Sequence, residues 1–377
     1  MTQPKHFIVF DIVPPHTPPE LSERGIAETI SLIHTLTGGS AVIKHIVQQR
    51  THPHPSTFIG TGKLEEIVHM VGQDKIDAIV INNLVKPGQI FELTKRFWNE
   101  YPDLVIWDRV DLILQIFKKH AHTAESKLQI EIAAMGHMGP RIFGMGMVLS
   151  RQGGGVGNRG IGETNTERMK RHWRDELKKT EKKLEALQKD RQVRMEKRKN
   201  DYIKTVALVG YTNAGKTSLF NALTGKQKLS KDVLFATLDS VTGSLHIPYT
   251  ESHRSGDPVP KILVADTIGF MSGLPPALIT AFRSTLTETT SADLILHVVD
   301  ASDEKIEEKM TTVNETLHEL GTDHIEKLVV YTKTDLAPNA HIDTVKRVIK
   351  TTPGILIAKD DPTSIANLVH AIVATCK

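Results

Sequence analysis

Hydrophobic and polar positions change period along the chain, and the changes divide it into three stretches. Short apolar runs at 7–12, 42–47, 78–81 and 104–106 alternate with helical patterns such as 21–36 and 87–98. Continuous apolar runs suit strands covered on both faces, and their alternation with helices predicts a small α/β unit with a mostly parallel sheet over residues 1–110. Beyond it the period lengthens. Asp111 is a candidate cap for a helix whose apolar positions Ile113, Ile116, Phe117, Ala121, Ala124, Leu128, Ile132 and Met135 recur at threes and fours. A second helix is expected from the capping box Thr164-Asn165-Thr166-Glu167, with Trp173, Leu177, Thr180, Leu184 and Leu187 at alternating spacings of four and three. Together they predict a long antiparallel helical hairpin over 111–200, joined by a Gly- and Arg-rich loop at about 139–162. The second helix, ending near Lys199, would span roughly 50 Å at 1.5 Å per residue. Apolar strands then return at 206–209, 261–265, 328–331 and 355–357, so 201–377 reads as a second α/β unit.

Composition changes this picture little. A chain of 377 residues is long for one compact domain, in keeping with several units. The single cysteine, Cys376, excludes a disulfide framework and a cysteine-based metal site, and points to a reducing compartment. No run of about 18 apolar residues occurs, and the N-terminus lacks a basic segment followed by a hydrophobic core. Neither stable membrane insertion nor a signal peptide is expected, and the chain reads as cytoplasmic.

Charge matters through its placement. The net +3 identifies no partner, but the predicted second helix carries about fourteen Lys and Arg against about seven Asp and Glu. Arg168, Lys170, Arg171, Arg174, Arg191, Arg194, Lys197 and Arg198 are among them. A solvated coiled-coil face explains such a run by itself. The preceding loop adds Arg141, Arg151 and Arg159 around Gly153, Gly154 and Gly155. A bare linker needs no arginines, whereas backbone approaching phosphates and guanidinium planes stacking on bases need both residue types, so the loop is a candidate RNA contact.

The candidate chemistry lies in the last unit. Gly210-Tyr211-Thr212-Asn213-Ala214-Gly215-Lys216-Thr217 follows an apolar strand and fits the phosphate-loop pattern G-x-x-x-x-G-K-[ST]. Its glycines let backbone N–H groups curl around phosphate oxygens, Lys216 reaches the β and γ phosphates, and the Thr217 hydroxyl suits Mg²⁺. Ser218 opens the helix whose N-terminus faces the phosphates. In Phe235-Ala236-Thr237, Thr237 offers a second hydroxyl to the metal. Asp266-Thr267-Ile268-Gly269 is a D-x-x-G at a strand end, in which Asp266 holds the metal through water and the Gly269 N–H meets the γ-phosphate. Thr332-Lys333-Thr334-Asp335 resembles the guanine-reading N-K-x-D with Thr in the first place. The Asp335 carboxylate can accept both the ring N–H and the exocyclic amine of guanine, which adenine cannot match. Ala358-Lys359 resembles an S-A-K loop with Ile357 in place of Ser. In this fixed order the signals predict a Ras-like P-loop G domain binding GTP and GDP, with an ATP-using P-loop protein as the alternative.

Three features carry double readings. Gly60-Thr61-Gly62-Lys63 invites a second nucleotide site, but lacks the four-residue spacer and fits a Gly-rich turn before a helix at 63–71. Phe270 stands where Ras-like switches place a water-orienting Gln, so slow intrinsic hydrolysis is expected; a core-facing hydrophobe is compatible with that. Asn213 occupies the position at which potassium-stimulated GTPases carry Asn, so it either helps hold K⁺ or shapes the loop.

At this point the chain resembles the HflX GTPases. The resemblance rests on Gly60-Thr61-Gly62-Lys63-Leu64-Glu65-Glu66, on Thr123-Ala124-Glu125-Ser126-Lys127-Leu128-Gln129-Ile130-Glu131, and on Arg151-Gln152-Gly153-Gly154-Gly155-Val156-Gly157-Asn158-Arg159-Gly160-Ile161-Gly162-Glu163-Thr164. It continues through the phosphate loop and Asp266-Thr267-Ile268-Gly269-Phe270, with Ile161 where the family has Pro. It implies a monomeric GTPase that binds the large ribosomal subunit and its rRNA, its hairpin reaching toward the peptidyl transferase centre. It also implies splitting of stalled or idle ribosomes in the GTP-bound form. A ribosome assembly or regulatory GTPase and an ATP-driven RNA-remodelling protein are the alternatives, and no DNA partner is expected.

Overall fold

The computed structural model describes residues 4–98, 100–152, 159–226, 241–247, 261–271, 278, 286–336, 342–358 and 361–376. The chain divides into two compact units, Met1–Lys119 with Lys127–Leu184, and His120–Ser126 with Glu185–Lys377. The boundaries therefore fall within the predicted hairpin rather than at its ends.

In the first unit β1 (His6–Val13), β2 (Val42–Gln49), β3 (Ala78–Ile81) and β4 (Val105–Asp108) form one sheet in the order β2-β1-β3-β4, every pairing parallel. β3 is buried at every position, whereas edge strand β2 exposes Lys44, His45 and Gln49. Helices α1 (Pro19–Thr37), α2 (Thr61–Asp74) and α3 (Pro87–Trp98) connect the strands. Phe10, Ile67, Ile79, Ile81, Leu93 and Phe97 belong to the core between the layers. Gly60 caps α2 in ordinary extended backbone, at φ −66° and ψ 147°, not in the left-handed curl of a phosphate loop. Lys63 pairs with Glu66 one turn on, at 2.5 Å. Both observations favour the structural turn over a second phosphate loop.

The helix expected from Asp111 is two helices, α4 (Arg109–His120) and α5 (Ala124–Gln152). Thr123 starts the second, its hydroxyl accepting the Ser126 N–H at 3.2 Å. The apolar spacing runs through the break, but in α5 the buried positions include Ser126, Gln129, Ile130 and Ala133, whereas Ala124 is exposed and Leu128, Ile132 and Met135 are half-buried. Asp108, not Asp111, sits at the cap of α4. It accepts the Asp111 N–H at 2.9 Å while Asp111 accepts the Asp108 N–H at 3.0 Å, a reciprocal capping box.

The Gly- and Arg-rich loop is shorter than expected. α5 continues through Pro140 to Gln152, and α6 (Arg159–Asn200) begins before the box at Thr164. A capping box contributes only about 1 kcal/mol, and Ile161 keeps the backbone N–H that a proline would lack, so the helix runs past the signal. Gly153, Gly154 and Gly155, with the side chains of Arg151 and Arg159, lie outside the described residues. Within the first unit the hairpin is tied by Trp173, whose indole N–H donates to the Met135 carbonyl at 3.2 Å.

Arg141, expected at RNA, is held inside this unit. Its Nη1 donates to Asp111 Oδ2 and its Nη2 to Asp108 Oδ2, both at 2.6 Å. His137, one turn earlier on α5, lies 3.2 Å from Asp108 Oδ1 and 3.4 Å from Asp111 Oδ1. Burial opposes charge on this imidazole, but its hydrogen bonds to Asp108 and Asp111 and their negative charge outweigh that and push its pKa up to about 9. The folded value lies above the unfolded one of about 6.5, so the contribution is complete below pH 6.5 and disappears as pH rises through 9. The thermal midpoint gap between the parent and His137→Gln is accordingly expected to narrow from pH 6 to pH 9.5. A gap that stays constant would refute this assignment.

In the second unit β5 (Lys204–Gly210), β6 (Val241–Ser244), β7 (Ile262–Asp266), β8 (Leu294–Asp300), β9 (Glu326–Thr332) and β10 (Gly354–Leu356) pair in the order β10-β9-β8-β5-β7-β6. Only β6 runs antiparallel to its neighbour, β7. The described helices are α7 (Lys216–Thr224), the single turn α8 (Thr287–Thr290), α9 (Ile306–Glu319), α10 (Ile342–Thr351) and α11 (Pro362–Thr375). Val206, Leu208, Phe220, Leu296, Leu368 and Ile372 form part of its core. The buried Glu288 of α8 pairs with Arg191 at 3.4 Å and Arg198 at 3.2 Å, and Arg191 also reaches Glu125 at 3.2 Å. Two cations of the basic helix are thus engaged internally. Among the described residues, no helix is long and apolar enough to cross a membrane.

Candidate nucleotide site

The predicted phosphate loop joins β5 to α7, at the carboxyl end of the sheet where open α/β folds take ligands. Close packing selects its glycines. A Cβ on Gly210 would stand 2.2 Å from the Val298 carbonyl oxygen. Gly215 is left-handed at φ 86° and leads into α7, and Asn213 shares that region at φ 63°, which Asn tolerates better than most side chains. This curled backbone is the cradle that phosphate oxygens require.

Lys216 lies almost wholly inside the loop. Its ammonium donates to the carbonyls of Tyr211 at 2.7 Å and Gly210 at 3.1 Å. Burial pulls its pKa down to about 8 against the opposing charge of Asp266. The Thr217 hydroxyl donates to Asp266 Oδ2 at 3.0 Å, placing side by side two oxygen donors of the kind a hard divalent cation takes. These residues fit a Mg-nucleotide. Behind the loop on β8, His297 stays neutral, because burial and the nearby Lys327 and Lys216 pull it down to about 4.

The D-x-x-G segment closes against the loop. Phe270 N–H donates to the Gly210 carbonyl at 3.0 Å, and Thr212 N–H donates to the Phe270 carbonyl at 2.7 Å. A Cβ on Gly269 would lie 2.9 Å from Lys216 Nζ and 2.9 Å from Thr212 Cα, so no other side chain fits that approach. The Phe270 ring is buried, and the position presents no polar group.

On the base side, the two departures from the expected motifs have structural explanations. Thr332 donates its hydroxyl to the Ala214 carbonyl at 2.8 Å, with the Val299 carbonyl 3.2 Å away, and so ties the end of β9 to the phosphate loop. Ile357 is buried in the core, while its N–H donates to the Tyr331 carbonyl at 2.7 Å and its carbonyl accepts the Thr334 hydroxyl at 3.2 Å. A serine there would leave that core position unfilled. Lys333 is left-handed at φ 55° and pairs with Asp300 at 2.7 Å, a partner that spacing alone does not single out. Asp335 is exposed in the 3₁₀ turn Thr334–Leu336 and Ala358 is half-buried just beyond Ile357. α7 begins at Lys216, two residues before the expected start at Ser218, which lies in its first turn. Phe235, Thr237 and Lys359 lie outside the described residues.

Comparison with known proteins covers every part of this architecture. Residues 23–118 match the family described as GTP-binding GTPase N-terminal, 120–198 the GTP-binding GTPase middle region, and 205–333 the 50S ribosome-binding GTPase. GTPase HflX of Alkalihalophilus pseudofirmus is 40% identical over 322 residues, 85% of this chain and 72% of the relative. GTPase HflX of Escherichia coli is 36% identical over 300 residues, 80% of this chain and 67% of the relative. Among solved structures, the complex of SsGBP with GDP aligns over 98% of this chain and 97% of its own, with a TM-score of 0.52 and 24% identity, which shows a shared fold. A phosphate loop, a D-x-x-G closed upon it and a middle helical region, in relatives alike over two thirds of their length or more, lead to one assignment: the chain belongs to the HflX family of GTPases.

Proposed function

We propose that this chain, with GTP bound, binds the large ribosomal subunit and splits stalled or idle ribosomes, and that GTP hydrolysis then releases it. The packing of Gly269 against Lys216 carries the reading, because it couples the segment that would sense a γ-phosphate to the residue that would hold it. Lys216 bridges the β and γ phosphates, the Gly269 N–H meets the γ-phosphate, and Asp335 with Ala358 and Lys359 reads guanine. Thr217, Thr237 and, through water, Asp266 are the residues that would hold Mg²⁺, and the ion would supply positive charge beside the phosphate oxygens. In hydrolysis, water forms a bond to the γ-phosphorus, the bond to the bridging oxygen breaks, and GDP departs with that electron pair.

RNA contact falls to Arg151, Gly153, Gly154, Gly155 and Arg159 at the hairpin end. Arg141 instead anchors α5 through Asp108 and Asp111. Asn213, left-handed beside the phosphate cradle, is the residue through which K⁺ would stimulate turnover, which hydrolysis measured in KCl and in NaCl decides.

Sedimentation of idle ribosomes tests the reading. Separated subunits are expected with GTP and with a non-hydrolysable analogue, and release of the factor only with GTP. Intact ribosomes throughout, with binding confined to isolated large subunits, would instead establish the assembly or regulatory role.

A further inference from the structure

Thr212 is the third residue of the phosphate loop, and of the few side-chain polar groups buried and unpartnered among the described residues its hydroxyl alone lies in that loop. The residue is 6% exposed, yet its Oγ1 has no hydrogen-bond partner among them. Burying a hydroxyl without a partner is unfavourable, and such a group calls for a reason, a catalytic role or a bound ligand among them. Packing alone does not explain it, since valine would fill the same space without a polar atom.

Its surroundings indicate which ligand. The Thr212 Cα and Cγ2 lie 2.9 and 3.1 Å from where a Cβ of Gly269 would stand, and Lys216 Nζ is 2.9 Å from that same point. Threonine, ammonium and D-x-x-G glycine therefore converge on one corner, which the reading of the site gives to the γ-phosphate. The Thr212 backbone N–H is already engaged by the Phe270 carbonyl at 2.7 Å, unlike a loop amide left to face phosphate. The hydroxyl is the one donor this residue retains. Phe270 next to it presents a buried ring and no amide.

We infer that the Thr212 hydroxyl donates a hydrogen bond to the γ-phosphate of GTP, supplying at the phosphate loop a contact that distinguishes GTP from GDP and strengthens as charge builds on the transferring group. The inference rests on the proposed nucleotide site but adds a residue whose side chain the loop pattern leaves unspecified.

Thr212→Val and Thr212→Ser separate the hydroxyl from the methyl group. Valine is expected to raise the Kd for a non-hydrolysable GTP analogue about tenfold, to leave GDP affinity within about twofold, and to lower single-turnover hydrolysis by roughly 10- to 100-fold. Its thermal midpoint should equal or exceed the parent's, because an unsatisfied polar group has been removed. Serine should retain most of the activity. Hydrolysis by Thr212→Val at the parental rate, or equal losses in the two variants, overturns the inference. Failure of the parent itself to bind GDP would overturn the nucleotide site instead, so the two outcomes are distinct.

Discussion

Lys216→Ala is expected to reduce kcat/KM for GTP by at least about 10²- to 10³-fold, the loss typical when one preorganised charge-stabilising donor is removed from an active site. The ammonium is buried and oriented by the Tyr211 and Gly210 carbonyls, so it meets phosphate already desolvated and pointed. Charge in such surroundings interacts more strongly than in water, and no reorganisation is needed at the moment of reaction. Lys216→Arg should not restore activity. The guanidinium is larger and planar, and the corner between Thr212 and Gly269 has no room for a single added carbon at Gly269. Single-turnover hydrolysis under saturating nucleotide, paired with equilibrium GDP binding, measures both steps. Turnover within threefold of the parent would remove Lys216 from the chemistry.

Arg141→Ala is expected to destabilise the first unit by about 3–5 kcal/mol, because it leaves two buried carboxylates without their main counter-charge. Asp108 and Asp111 are 1% and 8% exposed at their side chains, and Arg141 itself only 12%. Burial alone would raise the Asp111 pKa, but the hydrogen bond from His137 and the charge of Arg141 hold it below the usual carboxylate value. Removing the guanidinium reverses that balance. Arg141→Met combined with Asp108→Asn and Asp111→Asn should recover much of the loss, since asparagines still cap α4 and no unpaired charge remains. Denaturant midpoints for the set, read on the first unit's transition, decide the matter, and a loss below about 1 kcal/mol for Arg141→Ala would refute it. The result also bears on RNA binding. A weakened complex in Arg141→Ala would report a loosened helix, so Arg151 and Arg159 are the proper positions for charge reversal.

Periodicity identified most of the α/β framework. The runs at 78–81 and 87–98 coincide with β3 and α3 because a strand covered on both faces and a helix with one apolar face leave different spacings. The phosphate loop and D-x-x-G were legible for another reason. Their chemistry needs fixed residue types at fixed offsets: Gly210 and Gly269 leave no room for a Cβ, and Gly215 is held left-handed at φ 86°. Helix boundaries were less legible. The break before Ala124 falls inside an unbroken run of threes and fours, and the buried face shifts across it to Ser126, Gln129, Ile130 and Ala133, while the box at Thr164 is too weak a signal to set a helix start.

What the chain determined by itself is most of its α/β order and the phosphate-loop and D-x-x-G motifs, since both follow from local spacing and from residue types that phosphate chemistry demands. Tertiary structure alone decided which polar groups face one another. It turned Arg141 from a candidate RNA contact into the partner of Asp108 and Asp111, engaged Arg191 and Arg198 with Glu288, and let Thr332 hold the phosphate loop from 118 positions away. The physical reason is the same in each case. A charge or hydroxyl carries no record in sequence of its distant partner, and its role depends on whether folding surrounds it with water, with an opposite charge, or with nothing at all.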